Sequence, residues 1–297
     1  VNDGPFAGQS GNKVTSRQIK DRLEKETRDN VALRVRPTDR ADAMEVCGRG
    51  ELQLGILLET MRREGFEFQV SRPRVITRTD AGGQLQEPYE EAVVEVPSDM
   101  VGTVIEKLGS RKGEMTEMKP MGDSGTTRLR FKIPARGLFG YRSEFLTDTR
   151  GEGILHHNFQ EWDQWAGQLK GRSRGVLVAD RPGKAVGFAL FGLQERSTLF
   201  VKPGDDTYGG MIVGENVRTD DMDVNVSKEK KLTNMRTTSS DENIKLEPPR
   251  KITLELALEF IQDDELIEVT PDALRLRKRI LDPNQRKKAA KKVNQPA

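Results

Sequence analysis

The chain has 297 residues, 34% hydrophobic and 32% charged, with mean hydropathy −0.67 and a net charge of +2. That length suits two or three domains with real cores, and no apolar run approaches the roughly 18 residues of a membrane span. The polar start, VNDGPFAGQSGNKV, lacks the apolar stretch of a signal peptide, and the lone Cys47 excludes an intramolecular disulfide, so cytoplasmic residence is expected and Cys47 reads as a packed thiol.

Residues 1–83 form the first segment. Thr15 and Gln18 have the spacing of a capping box, and Ile19 and Leu23 continue a helix that ends by Asn30. Val31, Leu33 and Val35 alternate with polar or small residues, as in a strand, and Met44 and Val46 suggest a second strand broken by Gly48 and Gly50. Leu54, Leu57 and Met61 form a helical stripe that stops at Gly65, and Phe66, Phe68 and Val70 alternate before Pro73.

Residues 84–171 give a fuller copy of this order. Ala92, Val94 and Val96 alternate; Ser98 or Asp99 is placed to cap a helix carrying Val101, Val104, Ile105 and Leu108. A weak strand at Met115 and Met118 precedes a stronger one at Leu129, Phe131 and Ile133. A glycine-broken helical stretch over 137–149 leads to a last strand over 154–159. The pattern β-α-β-β-α-β is ferredoxin-like.

If the first segment has the same fold, its first strand is absent. The chain is then expected to be cut from something larger, and its first 83 residues to be the least protected, because unpaired buried backbone groups cost about 1–3 kcal/mol each.

Residues 172–297 are rich in strands. Apolar runs at 176–178, 185–191 and 199–201 are separated by Pro-Gly and Gly-Asp turns; Met222, Val224 and Val226 alternate. A helix with Leu254, Ala257, Leu258 and Ile261 and a strand with Leu266, Ile267 and Val269 follow the polar stretch 227–250. The class is α+β: two ferredoxin-like βαββαβ domains, the first without its first strand, then a mostly β C-terminal domain with short helices.

Charge is uneven. Residues 274–297 carry nine basic side chains against Asp282, leaving 40 basic and 46 acidic in the remainder. A basic tail on a mildly acidic body suits a polyanionic partner or is a solvated, frayed terminus.

No catalytic constellation emerges. Gly8, Gly11 and Lys13 lack the Walker spacing and no strand precedes them, so they read as a flexible leading loop. Adjacent His156 and His157 point to opposite faces of a strand and cannot share a metal. Asp263, Asp264 and Glu265 lack calcium-loop spacing and read as a turn after a helix. The stretch 227–250 is too long for an ordinary connection. Lys228, Lys230, Lys231 and Arg236 supply cations, and Asn234, Thr237, Thr238, Ser239 and Ser240 supply short neutral donors. RNA phosphates and 2′-hydroxyls want that mixture.

Several blocks are familiar. VTSRQIKDRL, CGRGELQLGILLETMRREGFE and SRPRVI resemble the third domain of translational GTPases such as elongation factor G. EPYEEAVVEVP, RKGEM and IPARGLFGYRSEFLTDTRGEG resemble their fifth domain. GKAVGFALFGLQER, MIVGEN, VNVSKEKKLTNMRTTSSDE and LELALEFIQDDELIEVTP resemble the C-terminal domain particular to TypA/BipA, which elongation factor G and LepA do not carry. The resemblance implies the C-terminal half of a ribosome-dependent GTPase tied to stress adaptation and ribosome biogenesis, with GTP and Mg in an N-terminal domain this chain lacks. It also implies a cytoplasmic monomer that meets the 70S ribosome, rRNA and the acceptor end of A-site tRNA, and no membrane. The loop of that domain corresponds to KEKKLTNMRTTSSDE, so Lys230, Lys231, Asn234, Arg236, Thr237 and Thr238 are the expected RNA contacts. A ribosomal-protection protein of the elongation factor G type, or a regulatory pair of metabolite-binding ferredoxin-like modules, are the competing readings.

Overall fold

The computed structural model describes residues 1–122, 125–169, 171–230 and 245–293. They form two compact units: residues 1–72 with 172 onward, and residues 73–171.

The first unit begins with α1 (Ser16–Asp29), opened by the expected capping box, in which Thr15 and Gln18 each bond the other's backbone N–H. Strands β1 (Arg34–Pro37) and β2 (Met44–Cys47) pair antiparallel as a hairpin of their own. Helix α2 (Glu51–Arg63) follows Gly50, and β3 (Phe68–Ser71) completes the order read from the sequence.

The second unit contains β4 (Arg78–Thr79), β5 (Leu85–Pro97), α3 (Val101–Ser110), β6 (Glu114–Pro120), β7 (Thr126–Pro134), α4 (Tyr141–Asp148) and β8 (Ile154–Gln164). The order β8-β5-β7-β6, all antiparallel, is ferredoxin-like, and β4 pairs with the start of β5. One face is dry because the alternating Ala92, Val94 and Val96 and Leu129, Phe131 and Ile133 meet Val104 and Leu108 of α3 and Tyr141 and Phe145 of α4. The other face is ionic: Arg128 pairs with Glu95 at 2.6 Å and Arg130 with Glu91 at 3.0 Å. Neither Ser98 nor Asp99 caps α3; the N-cap is Met100, and Ser98 Oγ donates instead to the Gly125 carbonyl at 2.8 Å.

The chain then returns to the first unit through β9 (Val176–Ala179), β10 (Gly183–Lys184), α5 (Gly187–Gln194), β11 (Ser197–Leu199), β12 (Asp206–Thr207), β13 (Met211–Asn216), β14 (Met222–Val224), α6 (Leu254–Phe260), β15 (Glu265–Val269), β16 (Leu274–Lys278) and α7 (Pro283–Val293). The apolar run 185–191, read as strand-like, becomes the start of helix α5: short apolar runs do not reveal their period, and here Ala189, Leu190 and Leu193 face inward at helical spacing.

The seven-stranded sheet runs β14-β9-β13-β16-β15-β3, with β11 also on β13. Its last member comes from the first segment: Phe68, Gln69, Val70 and Ser71 pair with Val269, Glu268, Ile267 and Leu266. The first segment therefore keeps its expected order of elements but divides its strands between two sheets. β15 supplies β3 with a backbone partner, which argues against the expectation of a poorly protected first segment. The shared core follows suit, with Ile19, Leu23, Leu57 and Met61 in one cluster with Leu258, Ile267 and Val269.

The first part of the basic tail is built into the fold. Arg277 and Lys278 are buried in β16. Lys278 is held by Asp264 at 2.8 Å, Glu265 at 3.0 Å and Asp221 at 2.6 Å, and Arg277 by Glu268 at 3.2 Å and by Asp3. Burial alone would lower the Lys278 pKa, but these carboxylates raise it. Of the acidic cluster at 263–265, Asp264 and Glu265 are thus charge partners of Lys278, while exposed Asp263 lies 3.9 Å from Arg72.

Candidate nucleic-acid interface

Two short stems carry the long stretch 227–250, and both are anchored on or beside α5. On the outgoing side Val226 is buried, and its carbonyl accepts from Val186 N–H at 2.9 Å, one residue before α5 begins. The Asn225 side chain turns the chain outward by accepting from Ser227 N–H at 2.9 Å. Lys228, Glu229 and Lys230 follow, all exposed.

On the returning side Leu246 is partly buried against the core beneath α5. The Gln194 side chain, at the last turn of that helix, donates through Nε2 to the Lys245 carbonyl and accepts at Oε1 from Glu247 N–H, both at 3.0 Å. Pro248 and Pro249 fix the next φ angles, and Arg250 N–H donates to the Leu199 carbonyl at 2.8 Å. Thr253 then caps α6. Each stem is therefore hydrogen-bonded to the fold at its root.

Of the residues expected to touch RNA, Lys230 lies at the exposed end of the outgoing stem. Lys231, Asn234, Arg236, Thr237 and Thr238 lie outside the described residues.

Sequence reading missed what surrounds the root. Phe188 and Phe191 stand at i and i+3 on the outer face of α5, 37% and 40% exposed. Two half-exposed aromatic rings on the helix that anchors the returning stem offer stacking surface at the loop root. An α-helical reading of 187–194 would have shown the pair. Gln194 carried no signal at all, since its role depends on the returning stem.

The other candidates take structural parts. His156 and His157 face Val93 and Ala92 across the ladder, on opposite faces as expected; both are exposed, and His157 Nδ1 meets Glu90. Cys47 is a half-buried free thiol. Among the described residues, no group of three or more His, Cys, Asp or Glu is placed to hold a metal, and no helix is long and apolar enough to cross a membrane.

The leading loop, read as flexible, is tied to Glu67 by hydrogen bonds. The buried Glu67 carboxylate accepts from Gly8 N–H at 2.8 Å, Gly11 N–H at 3.0 Å and Asn2 Nδ2 at 2.7 Å. Burial would raise the Glu67 pKa, but these donors hold it below the usual carboxylate range. Lys13 Nζ donates to the Glu64 carbonyl at 2.8 Å and lies over Phe66. The backbone donors that this loop would offer a nucleotide phosphate are thus taken by Glu67.

Residues 174–283 match the TypA/BipA C-terminal domain, and residues 84–173 match the Elongation factor G C-terminus. The protein named "Large ribosomal subunit assembly factor BipA" from Escherichia coli (strain K12) is 52% identical over 290 residues, covering 97% of this chain and 47% of that protein. Its namesake from Haemophilus influenzae is 50% identical over 290 residues, with the same coverage. That from Synechocystis is 51% identical over 278 residues, covering 94% of this chain and 46% of the relative. The chain thus spans about half the length of the curated relatives it matches.

Proposed function

The chain belongs to the TypA/BipA family as its C-terminal region, and from that premise we propose that it is the ribosome- and RNA-contacting portion of a translational GTPase. In this reading the whole protein acts in translation, large-subunit assembly and stress adaptation, in the cytoplasm and as a monomer. GTP and Mg belong to a part of the protein outside this chain, and the chain itself catalyses nothing.

The observation that carries the proposal is the braced loop root. A polar stretch rich in cations and short donors springs from two pinned stems, so ordering it on an RNA costs less than ordering a free tail. Lys230, Lys231, Asn234, Arg236, Thr237 and Thr238 are the proposed contacts to rRNA and to the acceptor end of A-site tRNA. Phe188 and Phe191 extend that surface at the root. The relatives' name, large ribosomal subunit assembly factor, agrees with a ribosomal partner.

Co-sedimentation of the chain with ribosomes at two salt concentrations tests the reading. Binding that weakens with salt is expected. Absence of binding at low salt, together with saturable binding of a neutral metabolite, would favour the regulatory-module reading instead.

A further inference from the structure

Beside the returning stem, the first unit carries a cleft of about 250 Å³. Strands β13 and β16 pair only through Met211↔Arg277 and Ile212↔Leu276, and the lining includes Leu274 and Arg275, beyond the last pair. Buried Met211, Ile212 and Leu276 give the cleft an apolar floor. Lys202, Arg250, Lys251 and Arg275 also line it, against a single acid, Asp205. That carboxylate is already engaged, accepting from Lys202 N–H at 2.9 Å.

The cations are not equivalent. Arg250 reaches Glu215 at 3.3 Å, and Arg275 lies 5.1 Å from the Phe6 ring centroid. Lys202 and Lys251 are exposed and make no ion pair among the described residues. Their charges are available to a ligand, while Pro249 and the Arg250 N–H bond to Leu199 hold this side of the cleft in place.

We propose that this cleft binds a phosphorylated nucleotide, its base on the apolar floor and its phosphate between Lys202 and Lys251. The volume is below the roughly 300–1,000 Å³ of pockets that enclose drug-sized ligands, so the cleft takes the base and leaves the rest of the nucleotide at its rim. The nucleotide is either a residue of a bound RNA strand or a free nucleoside phosphate. As an RNA subsite the cleft rests on the reading above; as a site for free nucleotide it stands alone.

The test is equilibrium binding of the whole chain to three probes: a labelled single-stranded RNA oligomer, a labelled nucleoside diphosphate and tripolyphosphate. The double variant Lys202→Ala/Lys251→Ala should bind the preferred nucleotide probe about tenfold more weakly or worse. Its melting temperature should not change, because both side chains are exposed. Tighter binding of the oligomer assigns the source to RNA, and tighter binding of the diphosphate assigns it to free nucleotide; either supports the site. The site is overturned if neither nucleotide probe binds saturably, if the double variant binds like wild type, or if tripolyphosphate alone binds as tightly as the nucleotides. Ribosome co-sedimentation reports separately: a chain that binds nucleotide through Lys202 and Lys251 but ignores ribosomes keeps the cleft and loses the ribosomal reading.

Discussion

Gln194 holds Glu247 as a neighbouring strand would: its Oε1 accepts from Glu247 N–H at 3.0 Å while its Nε2 donates to the carbonyl two residues earlier. One side chain thus fixes where the returning stem leaves the helix. Gln194→Leu removes both bonds at similar size. Each net hydrogen bond contributes about 0.5–1.5 kcal/mol, so the global loss is about 1–3 kcal/mol at most. Trypsin should cut the lysine-rich stretch faster in this variant, and ribosome binding should weaken. Unchanged proteolysis of residues 227–250 would remove Gln194 from the account.

The pairing of Val70 with Ile267 places β3 at the end of a seven-stranded sheet, so this strand should not be a weak part of the chain. Amides of β3 that donate to β15 should exchange about as slowly as those of β16 donating to β15, because all open with the same cooperative unit. The hairpin β1–β2, with no other strand on either side, should exchange faster. Hydrogen exchange followed by mass spectrometry separates the two cases.

That contrast shows what local pattern can carry. The capping box of α1, the helical stripe of α2 and the alternation in β5 and β7 are local or nearly so, and they were legible. The partner of β3 was not: β15 lies about 200 residues further on, and an alternating strand does not name its neighbour. The charged C-terminus misled for the same reason, since Arg277 and Lys278 look solvated until their carboxylate partners are brought to them. The candidate site divides likewise, with the loop visible by composition and its brace, Gln194, visible only in three dimensions.

The buried carboxyl of Glu268 gives a pH dependence of known sign. Burial raises its pKa above the ordinary 4.5, against the opposing pull of Tyr208, Arg277 and Arg275. The folded state therefore holds the proton more tightly than the unfolded chain. Stability from this group is fully present below 4.5 and is lost as pH rises towards the folded-state pKa. Glu268→Gln resembles the protonated form, so the variant should gain on wild type as pH rises through that window. Denaturant titrations at several pH values read the difference; parallel curves for the two proteins would contradict the assignment. Because Gly4 lies so close to Glu268 that a Cβ there would collide with its carboxylate, Gly4→Ala should destabilise at every pH.

Phe188 and Phe191 should matter to RNA more than to folding. Both rings are more than a third exposed, so alanine at the two positions should lower stability only in part and leave the domain folded, as a melting curve would show. Stacking on a base contributes about 1–3 kcal/mol as measured by alanine substitution, so affinity for ribosomes or single-stranded RNA should fall about tenfold or more per stacked ring. An unchanged affinity would confine the proposed contact to the loop itself.

The last prediction separates the loop from the basic C-terminus. Changing Lys230, Lys231, Asn234 and Arg236 together to alanine removes three cations, and each phosphate contact on a single strand contributes a salt slope near −0.7. The slope should therefore flatten by about two units if all three touch phosphate. Asn234→Ala alone should lower affinity with little change in slope, because a neutral amide positions and does not attract. The C-terminal control cannot be a deletion from Leu274, which would remove strand β16 and the buried charges of Arg277 and Lys278. Arg286 must also stay, since it pairs with Asp223. The clean comparison neutralises Lys287, Lys288 and Lys291, which are exposed on α7. If those three anchor the RNA, their variant should lose the salt dependence while the loop variant binds like wild type. The pinned stems argue for the opposite result: they hold both ends of the loop close to the fold, so its cations are offered to phosphate from one place, whereas exposed lysines on α7 add attraction without position.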